Sequence, residues 1–515
     1  MYVRHKREEN MKESVNNNKK IAVALSIANT VISAIVSITY IPILLSNIGK
    51  GEYGLYQLIG SIIAYFSSMY TSLNASVMKY YTEYLIKNDD VRMENTLAIS
   101  RRIFIVMSII VVIISLPITF LFKSNFFKSL SEHELKEALF MFRIMIINII
   151  VYLNGSVYSA SILANEKFVF RKLLDLIITI LQPISVLLMI KRYPYASTIV
   201  VIQLIMNIFL VIVCLYYSKR ELNVKIKYHF KDDNLIRGVF GLSASVLLIS
   251  IADQIFWKTD QIILGLLYGT ETVAVYSIGS QFNSLFISTG VVITGVIVPM
   301  ITRLNEMPDK ERKLSEIFTR IGRYQAYLVL LMLTGVILFG KEFIFIIAGK
   351  DFAGAYYVAL LLMIPYSIDL IQSSGNVILL VKNKNWYKAR ILFISAIINV
   401  FLTFILSKRY GMYGASLATT LSIIMASWIF MNRVYLKVIR LDIKMFWKNV
   451  IPIFGYAIVS LFIGVLIKKI KIPNFYIEFI SHVIMYTISY FIIIFSMAMN
   501  SDEKNYIFGK IKKFI

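Results

Sequence analysis

Fourteen apolar runs, each about long enough to cross a bilayer as a helix, constrain this chain more than any other feature. They fall at about 20–47, 55–78, 103–122, 138–163, 170–190, 196–217, 238–266, 273–300, 324–340, 354–380, 391–407, 414–435, 449–467 and 475–498; they are called spans 1 to 14 below. Hydrocarbon offers the backbone no water, so such runs can cross it only as helices. Composition agrees. The hydrophobic share is 58%, the charged share 16% and the mean hydropathy +0.70, against about 25% charged residues in a soluble domain. These values exclude a water-soluble enzyme, a disordered chain and a secreted disulfide scaffold. The single cysteine, Cys214, allows neither an internal disulfide nor a cysteine metal cluster. Span 1 follows a charged tail and opens a long series, so it reads as a span and not as a cleavable signal peptide. The expected fold class is an all-α polytopic membrane protein of about fourteen transmembrane helices.

The net charge of +24 would suit a nucleic-acid partner only if it were concentrated, and it is spread between the spans. Alternate loops differ sharply. With the N-terminus inside, the inner loops and tails hold 39 Lys and Arg and the outer loops 13, while Arg143 and Lys258 lie within spans. That bias places both termini in the cytoplasm and assigns the positive charge to topology and anionic lipid. Loops of at most about 25 residues leave no room for a soluble catalytic domain.

The chain also repeats itself. Gly49, Gly54 and Tyr56 in the loop between spans 1 and 2 match Gly269, Ala274 and Tyr276 between spans 7 and 8, at an offset of 220. Lys191-Arg-Tyr matches Lys408-Arg-Tyr, and Asn165-Glu-Lys matches Lys382-Asn-Lys, both at 217. Spans 1–6 and 7–12 therefore read as two copies of a six-helix unit inserted the same way up, which implies a pseudo-two-fold axis along the membrane normal. The expected organisation is a tail (1–19), an N-lobe (20–217), an inter-lobe loop (218–237), a C-lobe (238–435), spans 13 and 14 (436–498) and a second cytoplasmic tail (499–515).

A helix facing lipid should be apolar all round, so polar stripes mark faces turned to protein or water. Span 1 carries Ser26, Thr30, Ser33, Ser37 and Tyr40; span 7 carries Ser250, Asp253, Trp257 and Asp260. Span 2 carries Gln57, Ser61, Ser68 and Ser72, with Lys79 at its inner end. Span 8 carries Ser277, Gln281, Ser284 and Ser288. These stripes coincide under the repeat offset and suggest a hydrated cavity between the halves, lined by spans 1, 2, 7 and 8. Span 4 adds Arg143, Asn154, Tyr158 and Ser161; span 10 adds Asp369, Gln372, Ser373 and Asn376. For any one serine, close helix packing is the simpler role. Ionised groups inside a span are costly and read as functional or paired. No phosphate-binding Gly-rich loop and no His-Glu-x-x-His occurs, and His5, His133, His229 and His482 are scattered, so neither ATP hydrolysis nor a metal site is expected.

Several segments resemble a known family. Asn47-Ile-Gly-Lys-Gly-Glu-Tyr-Gly-Leu-Tyr56 resembles the first-loop signature of polysaccharide (O-antigen) flippases. Asp260-Gln-Ile-Ile-Leu-Gly265 with Ala274-Val-Tyr276 resembles their span-7 signature. Gly340-Lys-Glu-Phe343 with Gly349-Lys-Asp-Phe352, and Asn399 with Tyr410-Gly-Met-Tyr-Gly414, resemble their later junctions. Pro194 departs from the pattern, because its loop lacks the glycine pair of Gly411 and Gly414. These flippases belong to the multidrug/oligosaccharidyl-lipid/polysaccharide (MOP) exporter superfamily. The resemblance implies a MATE-like pair of six-helix lobes plus two helices in a bacterial cytoplasmic membrane. It also implies alternating access that carries a polyprenyl-pyrophosphate-linked oligosaccharide outward, no enzymatic activity, and work alongside a polymerase and other glycan-assembly proteins. On that reading Lys79, Arg143 or Lys258 would hold the phosphates, and Gln57, Ser61, Gln281 and Trp257 the sugars. Asp253, Asp260 and Asp369 would meet sugar hydroxyls or a coupling cation such as H+ or Na+; no other cofactor is implied. The rival readings are a lipid II flippase, an ion-coupled multidrug antiporter of the same superfamily and, more remotely, a membrane glycosyltransferase, polymerase or ligase.

Overall fold

The computed structural model describes the backbone of residues 2–124 and 127–505; the side chains of 2–20 and of scattered positions, chiefly in spans 1, 2, 7 and 8 and including Ser37 and Ser72, lie outside the described set. Among the described residues every regular element is a helix, and ten helices are long and apolar enough to cross a membrane. One of these, Asn385–Lys437, carries both spans 11 and 12 and breaks at Gly411. Tyr2–Ile86 carries spans 1 and 2 and breaks at Gly49, and Thr270–Asn305 carries span 8. Helix starts follow the local chemistry. Asp89, Asp232 and Asp442 each accept the backbone N–H three residues on, and Ser131 forms a capping box with Glu134. Span 10 differs from the continuous helix expected over 354–380. It is Gly354–Ile371 and then Ser373–Val381, interrupted at Gln372.

The backbone repeats where the sequence does. Gly49 (φ 78, ψ 175) and Gly269 (φ 82, ψ −174) share one conformation, which only glycine adopts freely. The six left-handed residues other than glycine also pair: Asn88 with Asp309, Glu166 with Asn383, and Asn223 with Arg440, while Gly349 (φ 86) stands alone. Their offsets are 221, 217 and 217, by subtraction of those numbers. Five of them follow a helix C-terminus, where a left-handed residue serves as a cap, and Asp309 instead precedes the helix Lys310–Ala348 as its N-cap. Gly411 (φ 56) has no such mate. Its counterpart under the offset of 217 is Pro194, whose ring forbids positive φ.

By contact the chain divides into Met1–Ala274 and Val275–Ile515. That division does not coincide with the lobe boundary expected at 218–237, because span 7 is packed and bonded into the first unit. Tyr65 Oη and Thr259 Oγ1 are 2.6 Å apart and Ser76 Oγ and Ser243 Oγ 2.8 Å, so spans 2 and 7 are joined at two levels. The segment leading to span 7 is fixed as well. The Asn95 amide donates to Phe230 O and accepts from the N–H groups of His229 and Phe230. The Arg102 guanidinium lies 3.7 Å from the Tyr228 ring centre. At the far end, a Cβ on Gly54 would overlap the Thr270 carbonyl. The two signature loops therefore touch through a glycine.

In the second unit, spans 13 and 14 are tied to span 9. Phe446 stacks on Phe318 at 4.4 Å, Tyr486 Oη donates to Thr334 Oγ1 (2.6 Å), and Tyr490 Oη donates to Tyr327 O (2.9 Å). Ion pairs close both ends, Arg323 with the buried Glu503 (2.8 Å) and Lys468 with Glu342 (2.5 Å). His482 is buried, its Nε2 2.8 Å from Ile470 O.

Candidate functional site

The first unit holds an open cavity of ≈ 400 Å³ walled by spans 2, 4, 6 and 7. Span 2 contributes Tyr56, Gln57, Gly60, Ser67 and Ser68; span 4 contributes Met145 and Asn148; span 6 contributes Gln203; span 7 contributes Ser250, Gln254 and Lys258. The helical period explains the span-7 set, since 250, 254 and 258 are four apart and share a face. Gly60 leaves the wall open, because a Cβ built there meets nothing within 4 Å.

The lining is rich in donors. Gln57 Nε2 donates to Tyr53 Oη at 2.9 Å. Asn148 Oδ1 accepts from Asn207 Nδ2 at 2.8 Å, so its own amino group is left for the cavity. The Ser67 and Ser68 hydroxyls donate to Ile63 O and Tyr65 O of their own helix, and so offer lone pairs inward. Gln203, Gln254 and the Lys258 ammonium have no hydrogen-bond or ion-pair partner among the described residues. Lys258 is the one charged side chain in the lining. An ammonium at such depth costs about 2.5–3.5 kcal/mol or more unless water or an anion meets it.

The other candidate residues fall elsewhere. Ser61 is buried, and its hydroxyl donates to Leu58 O at 2.6 Å, so it serves helix packing. Trp257 is half-buried with its ring against Phe256. Asp260 is buried outside the lining, Asp253 is exposed, and each has a partner. Arg143 is exposed. Lys79 is exposed too, 5.2 Å from the Tyr80 ring centre. Gln281 and Asp369 belong to the second unit; Asp369 Oδ1 accepts from Ser427 Oγ at 2.8 Å beside the interruption in span 10. None of the described side chains of span 1 lines the cavity, and Thr30 donates to Ser26 O of its own helix. Spans 4 and 6, which were not expected there, line it through Asn148 and Gln203. A signal for them existed, because Gln203 and Asn207 are lone amides four apart in an otherwise apolar span. The sequence reading also passed over an ion pair at the start of span 5. Arg171 bonds Asp175 at 3.0 Å and donates to Ser159 Oγ at 2.9 Å.

The described residues thus form an all-helical, multi-pass membrane fold with a polar cavity, holding one lysine, among the helices of the first unit. Solved structures share that fold. The lipid II flippase MurJ in an inward closed conformation matches with a TM-score of 0.70 and 16% identity, over 92% of this chain and 98% of that one. An inward-facing multidrug resistance MATE family transporter matches at 0.65 and 12%, over 78% and 94%. The chain belongs to the polysaccharide biosynthesis protein family, whose model matches residues 20–305. A curated relative, the probable low-salt glycan biosynthesis flippase Agl15 of Haloferax volcanii, is 23% identical over 189 residues. That stretch covers 36% of this chain and 39% of the relative, so the match spans about two fifths of that protein.

Proposed function

We propose that this protein is a flippase that carries a polyprenyl-pyrophosphate-linked oligosaccharide across the bacterial cytoplasmic membrane, with both termini inside, for assembly of a surface polysaccharide. The cavity of the first unit carries the reading: a glycan head cannot cross hydrocarbon, and amides, hydroxyls and one cation walled by membrane helices replace the water it gives up. The lipid tail stays in the bilayer while the head passes, by alternating access between two conformations. Family membership supports the glycan over a drug as cargo. The relative named as a glycan biosynthesis flippase supports a lipid-linked form of it. The driving force is a cation gradient or the membrane potential, with Asp253, Asp260 and Asp369 as the carboxylates available to a coupling H+ or Na+. No chemical step is assigned to any residue. A polymerase and other glycan-assembly enzymes act on the product at the outer face.

The test is to delete the gene and follow its lipid-linked oligosaccharide. The reading requires the intermediate to build up on the inner leaflet, with restoration by the intact gene. Normal surface glycan in the deletion strain, or rescue of a strain depleted of its lipid II flippase, would overturn it.

A further inference from the structure

We propose that spans 5 and 6 form a separate lipid site on the outside of the first unit. An apolar groove there holds an acyl chain of an anionic phospholipid, and Lys191 with Arg192 holds its phosphate. The groove has a volume of ≈ 450 Å³. Ser185, Met189 and Tyr193 line it from the end of span 5, and Ser197, Ile202 and Ile205 from the first half of span 6. It is not the cavity described above. Ile205 stands two residues from Gln203, which lines that cavity, and two residues turn a helix by about 200°. The groove and the cavity therefore lie on opposite sides of span 6. Met189, Tyr193 and Ile205 are all exposed, and the exposed apolar surface of a membrane helix meets acyl chains.

Charge selects the lipid. Lys191 and Arg192 directly follow the helix Phe168–Ile190, both are exposed, and neither has an ion-pair partner among the described residues. The Arg192 guanidinium lies 5.8 Å from the centre of the Tyr193 ring, itself a wall of the groove, so the charge stands at the groove's mouth. A helix C-terminus by itself favours a basic residue; a pair of them beside an apolar groove matches both parts of an anionic lipid. Glu52 reaches this corner, but it accepts from the Ala196 N–H at 2.7 Å and pairs with neither base. A choline headgroup carries its own ammonium, so the two bases favour a lipid whose phosphate is its only charge. The repeat retains the arrangement. Lys408-Arg409-Tyr410 occupies the corresponding place in the second copy, with Arg409 5.5 Å from the Tyr410 ring centre. These four bases are among only 13 in the outer loops, where the proposed orientation otherwise leaves positive charge scarce. The bound lipid belongs to the outer leaflet and anchors the outer ends of spans 5 and 6.

The experiment uses the full chain with Cys214→Ser and a fluorophore on Leu188→Cys, an exposed neighbour of the groove. It is reconstituted in phosphatidylcholine vesicles that contain a small share of either phosphatidylglycerol or phosphatidylcholine with brominated, quenching chains. No glycan lipid is present, so a cargo diphosphate cannot supply the signal. Phosphatidylglycerol should be preferred about tenfold. Lys191→Gln with Arg192→Gln should bring the preference near one, and so should Ile205→Trp, which fills the groove. Lys469→Gln with Lys471→Gln, an exposed basic pair elsewhere, should leave it unchanged. Equal quenching by the two lipids in the parent protein overturns the proposal. So does a preference that survives loss of Lys191 and Arg192. A preference lost equally with Lys469 and Lys471 shows general surface charge and overturns it too. Should the Lys191 and Arg192 variant fail to fold, Ile205→Trp decides: a tenfold preference kept with the groove filled rules the site out.

Discussion

Gly54 and Glu503 show how single residues hold this protein together. A side chain on Gly54 would run into the Thr270 carbonyl, which is backbone and cannot swing aside. Gly54→Ala should therefore destabilise the first unit by about 1–3 kcal/mol, read as a lower melting temperature in detergent. Gly60→Ala, whose Cβ meets open space, should leave that temperature close to wild type. Glu503 is a different case. Burial alone would raise its carboxyl, but the Arg323 guanidinium and the Asn500 N–H outweigh that and hold it below its ordinary value. A depressed folded pKa contributes stability above the unfolded carboxylate pKa of about 4.3, and that contribution is lost as pH falls through the folded value. On acidification below about pH 4.3, wild type should lose melting temperature more steeply than Glu503→Gln. Equal slopes in the two proteins would mean that the pair contributes nothing to acid stability.

Among the helices, span 7 is the decisive element. Its cross-links to span 2 pair hydroxyls, Tyr65 with Thr259 and Ser76 with Ser243. A double-mutant cycle of Tyr65→Phe and Thr259→Val should give a coupling of about 0.6–1.7 kcal/mol, the range of hydrogen bonds between membrane helices. A coupling of zero would show the two hydroxyls to be incidental neighbours. Sequence periodicity placed Gln57 and Ser68 of span 2 and Ser250 of span 7 on stripes that reach the cavity, but the face of span 7 that lines it is 250, 254 and 258 and not the expected 250, 253, 257 and 260. It did not find Asn148 or Gln203 as partners to them. Each is a lone amide, and which amide joins which stripe depends on how helices far apart in the chain are brought side by side. The interruption at Gln372 escaped for a related reason: the polar residues Asp369, Gln372, Ser373 and Asn376 keep helical spacing, and the break is a backbone turn at Gln372 (φ −95, ψ 6), a position held by neither glycine nor proline.

For the molecule as a whole, the positive charge makes a topological prediction. With Cys214 replaced by Ser, a single cysteine at Ser131 should react with an impermeant thiol reagent added outside intact cells, whereas one at Lys225 should react only after the membrane is opened. The reverse pattern would invert the orientation and with it the direction of the proposed transport. Transport has its own test in the cavity wall. Gly60→Leu should fill part of the ≈ 400 Å³ space and slow glycan export about tenfold or more, with folding intact by melting temperature. Export at the wild-type rate would mean that the glycan takes another path.

The membrane class, the approximate limits of the helices and the turns that repeat between the halves were legible in the sequence, because each rests on local hydropathy or on a local turn. The paired left-handed residues, such as Glu166 and Asn383, show how faithfully that repetition is written into the backbone. The company each polar side chain keeps was decided only by the tertiary structure. Lys258 is solitary in an amide-lined cavity, while Arg171 and Arg323 are matched with carboxylates. All three are basic residues set among apolar ones, and the physical difference between them is the packing of helices that no local pattern encodes.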